Sequence, residues 1–198
     1  MAIATLMKAW EPSHMAITIT KQDSTFTPGE AERVTGVSTV QQRDWRRRGF
    51  LSAGDGGWTM YRSIDLAELL VMRQAAALGV GPAVAKAWAT SAAWRIQQFA
   101  EQFPGVVEDQ TEGEVGSRMR WHSDPPQRFL IVTHGTGAHF TDSIDSLFGS
   151  EDVITPHTAA IGSAVVIDLR SLALELFHRA GRPLAVLMSG DGDAQAAS

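Results

Sequence analysis

The 198-residue chain contains no cysteine. Disulfides, thiolate nucleophiles and cysteine-type zinc sites are thereby excluded, and a reducing compartment is the natural setting. No apolar run reaches the roughly 18 residues that a membrane-spanning helix needs. The N-terminus lacks the basic start and long apolar stretch of a secretory leader, so a cytoplasmic protein with no membrane partner is expected. Basic charge is also short: 17 Lys and Arg face 22 Asp and Glu, a net of −5. A surface uniformly coated in positive charge is excluded.

Catalytic and cofactor signatures are missing as well. Gly135-Thr-Gly137 lacks the third glycine and the following helix start of a dinucleotide loop. Ser143 and Ser146 sit in no nucleophile-elbow pattern. His134, His139, Asp142 and His157 match no established metal spacing. The expectation is no enzyme, no cofactor and no metal.

What basic charge there is lies unevenly. Residues 25–80 hold seven Arg (33, 43, 46, 47, 48, 62, 73) and six acids (30, 32, 44, 55, 65, 68), a local balance of +1 against −6 for the remainder. An acidic body can still bind a polyanion through one basic surface, because charge is screened beyond about 10 Å.

The same segment carries helix punctuation. Pro28 suits a first helical position, Thr27 is a candidate N-cap, and Glu30 three residues on approximates a capping box. Ala31 and Val34 give this helix, 28–34, one apolar side. Gly36 stands where the chain must turn with positive φ. Ser38 then caps a second helix, 39–48, by accepting from the N–H groups of residue 40 or 41. Only Val40 and Trp45 are strongly apolar there, and both are expected to anchor it. Gln41, Gln42, Arg43, Arg46, Arg47 and Arg48 supply donors, so much of the helix must face solvent or a ligand. This is a helix-turn-helix. Gln41, Gln42 and Arg43 lie where such helices meet base edges, and Arg46 to Arg48 are placed for phosphates. The plainer reading of the arginines is a solvated basic face at a helix C-terminus. Gly49 ends the helix, 54–57 form a Gly-rich turn, and 58–61 return as a strand, making a two-stranded wing with Arg62 beside it. Ser63 or Arg62 then starts a helix through Leu78, which Gly79 closes.

The order Gly36-Val37-Ser38, Gln41, Arg43, Trp45, Arg47, Gly49-Phe50-Leu51, a hairpin, Tyr61, Asp65-Leu66 and Leu78-Gly79 resembles the MerR (mercury-resistance regulator) family of winged-helix DNA-binding domains over about a third of the chain. The sequence departs from that pattern at Asp44, Arg46 and Thr59, where the family has an aromatic, an acid and a wing arginine. Asp44 is expected to pair with a neighbouring Arg. The resemblance implies major-groove binding by the second helix and an antiparallel dimer contact through the helix that follows.

That helix spans 82–103. Val84, Trp88, Ala92, Ile96, Phe99 and Phe103 form its stripe, and Trp94 lies off it. Trp88, Trp94 and Phe99 are the candidate dimerisation residues, with Trp94 packing under the C-terminal region as the alternative. Residues 1–24 read as a loosely ordered arm, 105–127 as a connector with an edge strand near 116–121, and 189–198 as a disordered tail. In 128–188, strands at 129–133, 164–167 and 184–188 flank a helix capped by Asp168. A short helix is expected at 141–148. This suggests a parallel βαβ unit in a small α/β regulatory or assembly domain. The whole is α+β: an N-terminal winged helix-turn-helix, a long helix, then a small C-terminal α/β domain. The expected function is a sequence-specific transcriptional regulator contacting double-stranded DNA through Ser38, Gln41, Gln42, Arg43, Arg46, Arg47, Arg48 and Arg62. It would act as a homodimer, with the small-molecule effector unknown. A phage or mobile-element architectural factor, and an adaptor gripping an acidic protein, are the other readings left open.

Overall fold

The computed structural model describes residues 17–51, 60–111, 126–133, 137–144 and 164–191. In chain order the elements are β1 (Ile17–Asp23), β2 (Thr25–Phe26), α1 (Pro28–Thr35), α2 (Thr39–Arg47), β3 (Tyr61–Arg62), α3 (Ser63–Ala77), α4 (Pro82–Ala100), β4 (Val107–Asp109), β5 (Phe129–Thr133), β6 (Gly137–Thr141), β7 (Ala164–Asp168), α5 (Leu169–Ala180) and β8 (Ala185–Asp191). The fold is α+β.

Local chemistry sets the helix ends. Thr27 and Glu30 form a reciprocal capping box at α1, with Pro28 in the first turn. Gly36 closes α1 at φ 72° and sends its N–H to the Glu32 carbonyl. A Cβ there would also press on the Arg73 guanidinium at 3.2 Å, so glycine is required twice over. Ser38 caps α2 by accepting from Gln41 N–H at 3.2 Å, and the Glu32 carboxylate accepts from Thr39 N–H at 3.0 Å. Two of the orphan donors of α2 are thus satisfied.

One core joins the two ends of the chain. α3 is buried over most of its length, with Leu66, Leu69, Leu70, Val71 and Met72 sealed, and packs along α4 through Trp88, Ala92, Ile96 and Phe99. α5 adds Leu169, Leu172 and Leu176 to the same cluster. Glu68 ties α3 to α4 by accepting from Lys86 at 2.6 Å and Thr90 at 2.8 Å.

The sheets correct several expectations. β7, α5 and β8 follow one another, but no parallel βαβ forms. β7 joins the sheet β6-β5-β7, antiparallel to β5, whereas β8 lies in β1-β8-β4. The cause is α5, which packs on α1, α3 and α4 and so delivers the chain beside the N-terminal module. The supposed arm is therefore partly a strand. Ile17 to Asp23 pair antiparallel with Asp191 to Ala185, and Lys21 forms an ion pair with Glu101. The supposed tail contributes its first residues to β8. The segment expected to begin a helix at Thr141 is instead the end of β6. β3 pairs with β2, Phe26 opposite Tyr61, not with Phe50 and Leu51. The turn at 54–57, the strand near 116–121 and the tail beyond Asp191 lie outside the described residues.

Asp168 caps α5 as its sequence position predicts, accepting from Arg170 and Ser171 N–H and from Ser171 Oγ, and it takes Arg128 as a forked partner at 2.6–3.2 Å. Burial pushes this carboxyl up, but the Arg128 and Ser171 hydrogen bonds outweigh that and hold it below its ordinary value. A depressed folded-state value means the cap stabilises the fold above the usual carboxylate range, and this contribution is lost as pH falls through the depressed value. Replacing Asp168 with Asn should therefore flatten the acid limb of a Tm-against-pH curve below about pH 4 and lower Tm at neutral pH. An unchanged acid limb would refute the assignment.

Candidate nucleic-acid interface

The α1–α2 turn presents α2 with one face buried and the other open. Trp45 is sunk into the core and Val37 lies beneath the turn. Gln42 is 1% exposed. Its amide nitrogen donates to the Pro28 carbonyl at 3.1 Å and the Val37 carbonyl at 2.8 Å. Gln42 therefore pins the start of α1 to the turn and is not a base-reading residue. Val40 is 71% exposed and does not anchor the helix. Two assignments made from residue type are thus exchanged, because helical phase decides them. Gln42 and Trp45, three apart, share the inner face, and Val40 lies on the outer one.

The other predicted contacts divide. Gln41 and Arg43 are exposed, and among the described residues Arg43 makes no ion pair. Arg47 and Arg48 both reach Asp44, at 2.7 and 3.0 Å, with their side chains mostly open to solvent. Asp44 pairs with its neighbours as its position suggested. Arg46 turns the other way. It donates to the Tyr61 hydroxyl and lies 5.4 Å from the centre of that ring, so it links α2 to β3 rather than standing free for a phosphate. Burial pushes the Tyr61 phenol up, against the pull of Arg46, and keeps it neutral. Arg62 is exposed and paired with Asp65 at 3.4 Å. Ser38 has its hydroxyl engaged in the cap. Arg33, in the last turn of α1, is exposed.

Two of the three expected dimer residues are interior to the chain: Trp88 and Phe99 are 8% and 6% exposed. The inner stripe of α4 runs through Ala85, Trp88, Ala89, Ala92, Ile96 and Phe99, and Val84 faces out. Trp94 is 57% exposed, and the described residues of the C-terminal region do not cover it. Of the tempting histidines, His139 lies exposed on β6, while His134 and His157 fall outside the described residues. No group of three potential metal ligands occurs among those described.

Residues 26–91 match the family model of MerR HTH family regulatory proteins. The matched segment runs from β2 into α4 and contains Ser38, the Gln41–Arg48 run and Arg62, but not Trp94 or Phe99. No curated protein matches the chain.

The opposed positions of Gln41 and Gln42 make a test. Gln42→Ala should lower stability by about 2–4 kcal/mol by stripping two carbonyls of their donor and opening a cavity, seen in denaturant unfolding. Gln41→Ala should leave stability within about 0.5 kcal/mol. Equal effects from the two variants would refute the burial assignment.

Proposed function

Residues 26–91 form a MerR-like helix-turn-helix DNA-binding domain, and from that premise we propose that the protein is a sequence-specific regulator that lays α2 in the major groove of double-stranded DNA. The observation that carries this reading is the outer face of α2. Gln41, Arg43, Arg47 and Arg48 project from a helix whose opposite side is locked into the core. Gln41 and Arg43, nearer the N-terminal end, suit adenine and guanine edges. Arg47 and Arg48 suit phosphates, which fix register without reading sequence. Arg62, beside β3, suits a flanking phosphate. MerR-type domains act by binding DNA, and no catalytic step is assigned here.

Selection of bound duplexes from a random pool at physiological salt tests the reading. An enriched motif supports it, and no enrichment ends it. Arg47→Ala should weaken binding to all duplexes alike and reduce the slope of log affinity against log salt by about 0.9. An unchanged slope removes Arg47 from the phosphate contacts.

A homodimer through α4 belongs to the same proposal. Trp94 carries it, since it projects from a helix whose other aromatic side chains, Trp88 and Phe99, are buried. Two-fold symmetry would then appear in the selected motif. Trp94→Ala should shift sedimentation of the full chain toward monomer with its Tm unchanged. A wild-type chain that is monomeric at high concentration defeats the dimer.

A further inference from the structure

On the outer face of α2, Val40 and Arg47 lie most directly opposite the buried Gln42 and Trp45, and Val40 is the one at the N-terminal end. At roughly 100° per residue, Val40, Asp44 and Arg47 stack along a single line of the helix. Gln42 and Trp45 fall on the far side, and Arg43 and Gln41 flank the line to left and right. Val40 is the most N-terminal of the line, one residue before Gln41. A helix that enters a groove with its inner face held by the core points this line at the base-pair edges, and its N-terminal end goes deepest. Val40 has no packing role to explain its place, because 71% of it is open to solvent.

We infer that Val40 is a specificity-determining residue that reads the C5-methyl group of a thymine in the major groove. The inference rests on the DNA reading above and deepens it. Valine can neither donate nor accept a hydrogen bond, so it cannot tell a guanine edge from an adenine edge. The thymine methyl is the apolar feature of the major-groove code that an aliphatic side chain can meet. The surroundings favour this contact over a phosphate or a water-filled gap. Gln41 and Arg43 bracket Val40 with hydrogen-bonding groups for adjoining bases, and a valine offers a phosphate nothing to pair with. A methyl buried against Val40 leaves water together with the two valine methyls, and the gain is that of burying about one methylene-sized group, roughly fourfold in affinity.

The full chain is tested against a duplex recovered by random-pool selection. Each thymine is replaced in turn by deoxyuridine, which lacks only the C5-methyl. Wild-type protein should lose about fourfold in affinity at one thymine, or at its symmetry mate as well if the site is two-fold. The Val40→Ala protein should bind the thymine duplex more weakly and show no uracil effect at that position, while its response at the other thymines and its salt slope stay as in wild type. Val40→Thr, which keeps one methyl, should lie between the two. A motif enriched without thymine overturns the inference, as does a thymine-to-uracil profile identical in wild type and Val40→Ala. In either case DNA recognition itself stands. If no duplex is enriched at all, the DNA reading fails, and this outcome is separate from the other two. Because Val40 is exposed, both variants should retain wild-type Tm, and a changed Tm would show that Val40 packs in the protein after all.

Discussion

Gln42 reaches through the angle between α1 and α2 and donates to a carbonyl at each end of it, Pro28 and Val37. Much else follows from this one side chain. The first residue of α1 and the residue after its glycine turn are tied to α2, so the crossing angle cannot open without breaking both hydrogen bonds, the one to Val37 buried, at a cost of about 1 kcal/mol each. Trp45 fills the space one turn further on. With that side of α2 committed, the directions of Val40, Gln41, Arg43 and Arg47 are no longer free. The outer face is a consequence of the inner one.

The turn is also gripped from behind. Arg73 of α3 donates to the Thr35 carbonyl at 3.2 Å, and Arg179 of α5 approaches the Val34 carbonyl at 3.4 Å. Glu175 of α5 lies between them, 3.4 Å from Arg73 and 3.1 Å from Arg179. These cations meet the negative end of α1, where the last carbonyls lack helical partners. Arg182 closes the other end of α1. It donates to the Thr25 carbonyl at 2.7 Å, stacks 4.4 Å over Phe26 and lies 3.5 Å from Glu30 of the capping box. Glu30 is held below its ordinary value chiefly by the Thr27 backbone N–H, with Arg182 adding to it. The C-terminal helix and the loop after it therefore complete the caps of the first DNA-module helix. Residues about 150 positions apart thus share one local structure.

What could be read from the sequence was governed by short-range rules. The Thr27–Glu30 box, the Ser38 cap, the Gly36 turn and the Asp168 cap each depend on partners within four residues, and each occurs. β5, β7 and α5 have the positions that their apolar runs indicate. Two kinds of feature escaped. The first is pairing at long range. Ile17-Thr-Ile-Thr alternates as a strand should, but its partner β8 lies at the other end of the chain, and nothing local announces it. The second is helical phase in a helix poor in apolar residues. With one valine and one tryptophan in nine positions, composition pointed both inward. A glutamine took the valine's expected place because the turn needs a donor there, not a methyl. The same correction moved Arg46 away from the phosphates, since its position lies nearer the inner face and meets Tyr61.

The acidic balance of the chain acquires a meaning at Asp44. Exposed ion pairs are worth about 0–1 kcal/mol, so Arg47 and Arg48 can exchange Asp44 for a phosphate at small cost. Yet the carboxylate stays within reach of both and repels the duplex backbone that they would approach. The arginine cluster at the end of α2 thus attracts any duplex less than three guanidiniums would suggest, all the more because Arg46 is withdrawn to Tyr61. Non-specific binding is carried mainly by phosphate contacts. A protein that tempers them depends proportionately more on its base contacts. On the proposed DNA reading, the few side chains at the N-terminal end of α2 then supply most of the discrimination. An uncharged pair, Val40 and Gln41, is suited to that task, because neither is rewarded by the backbone of the wrong sequence.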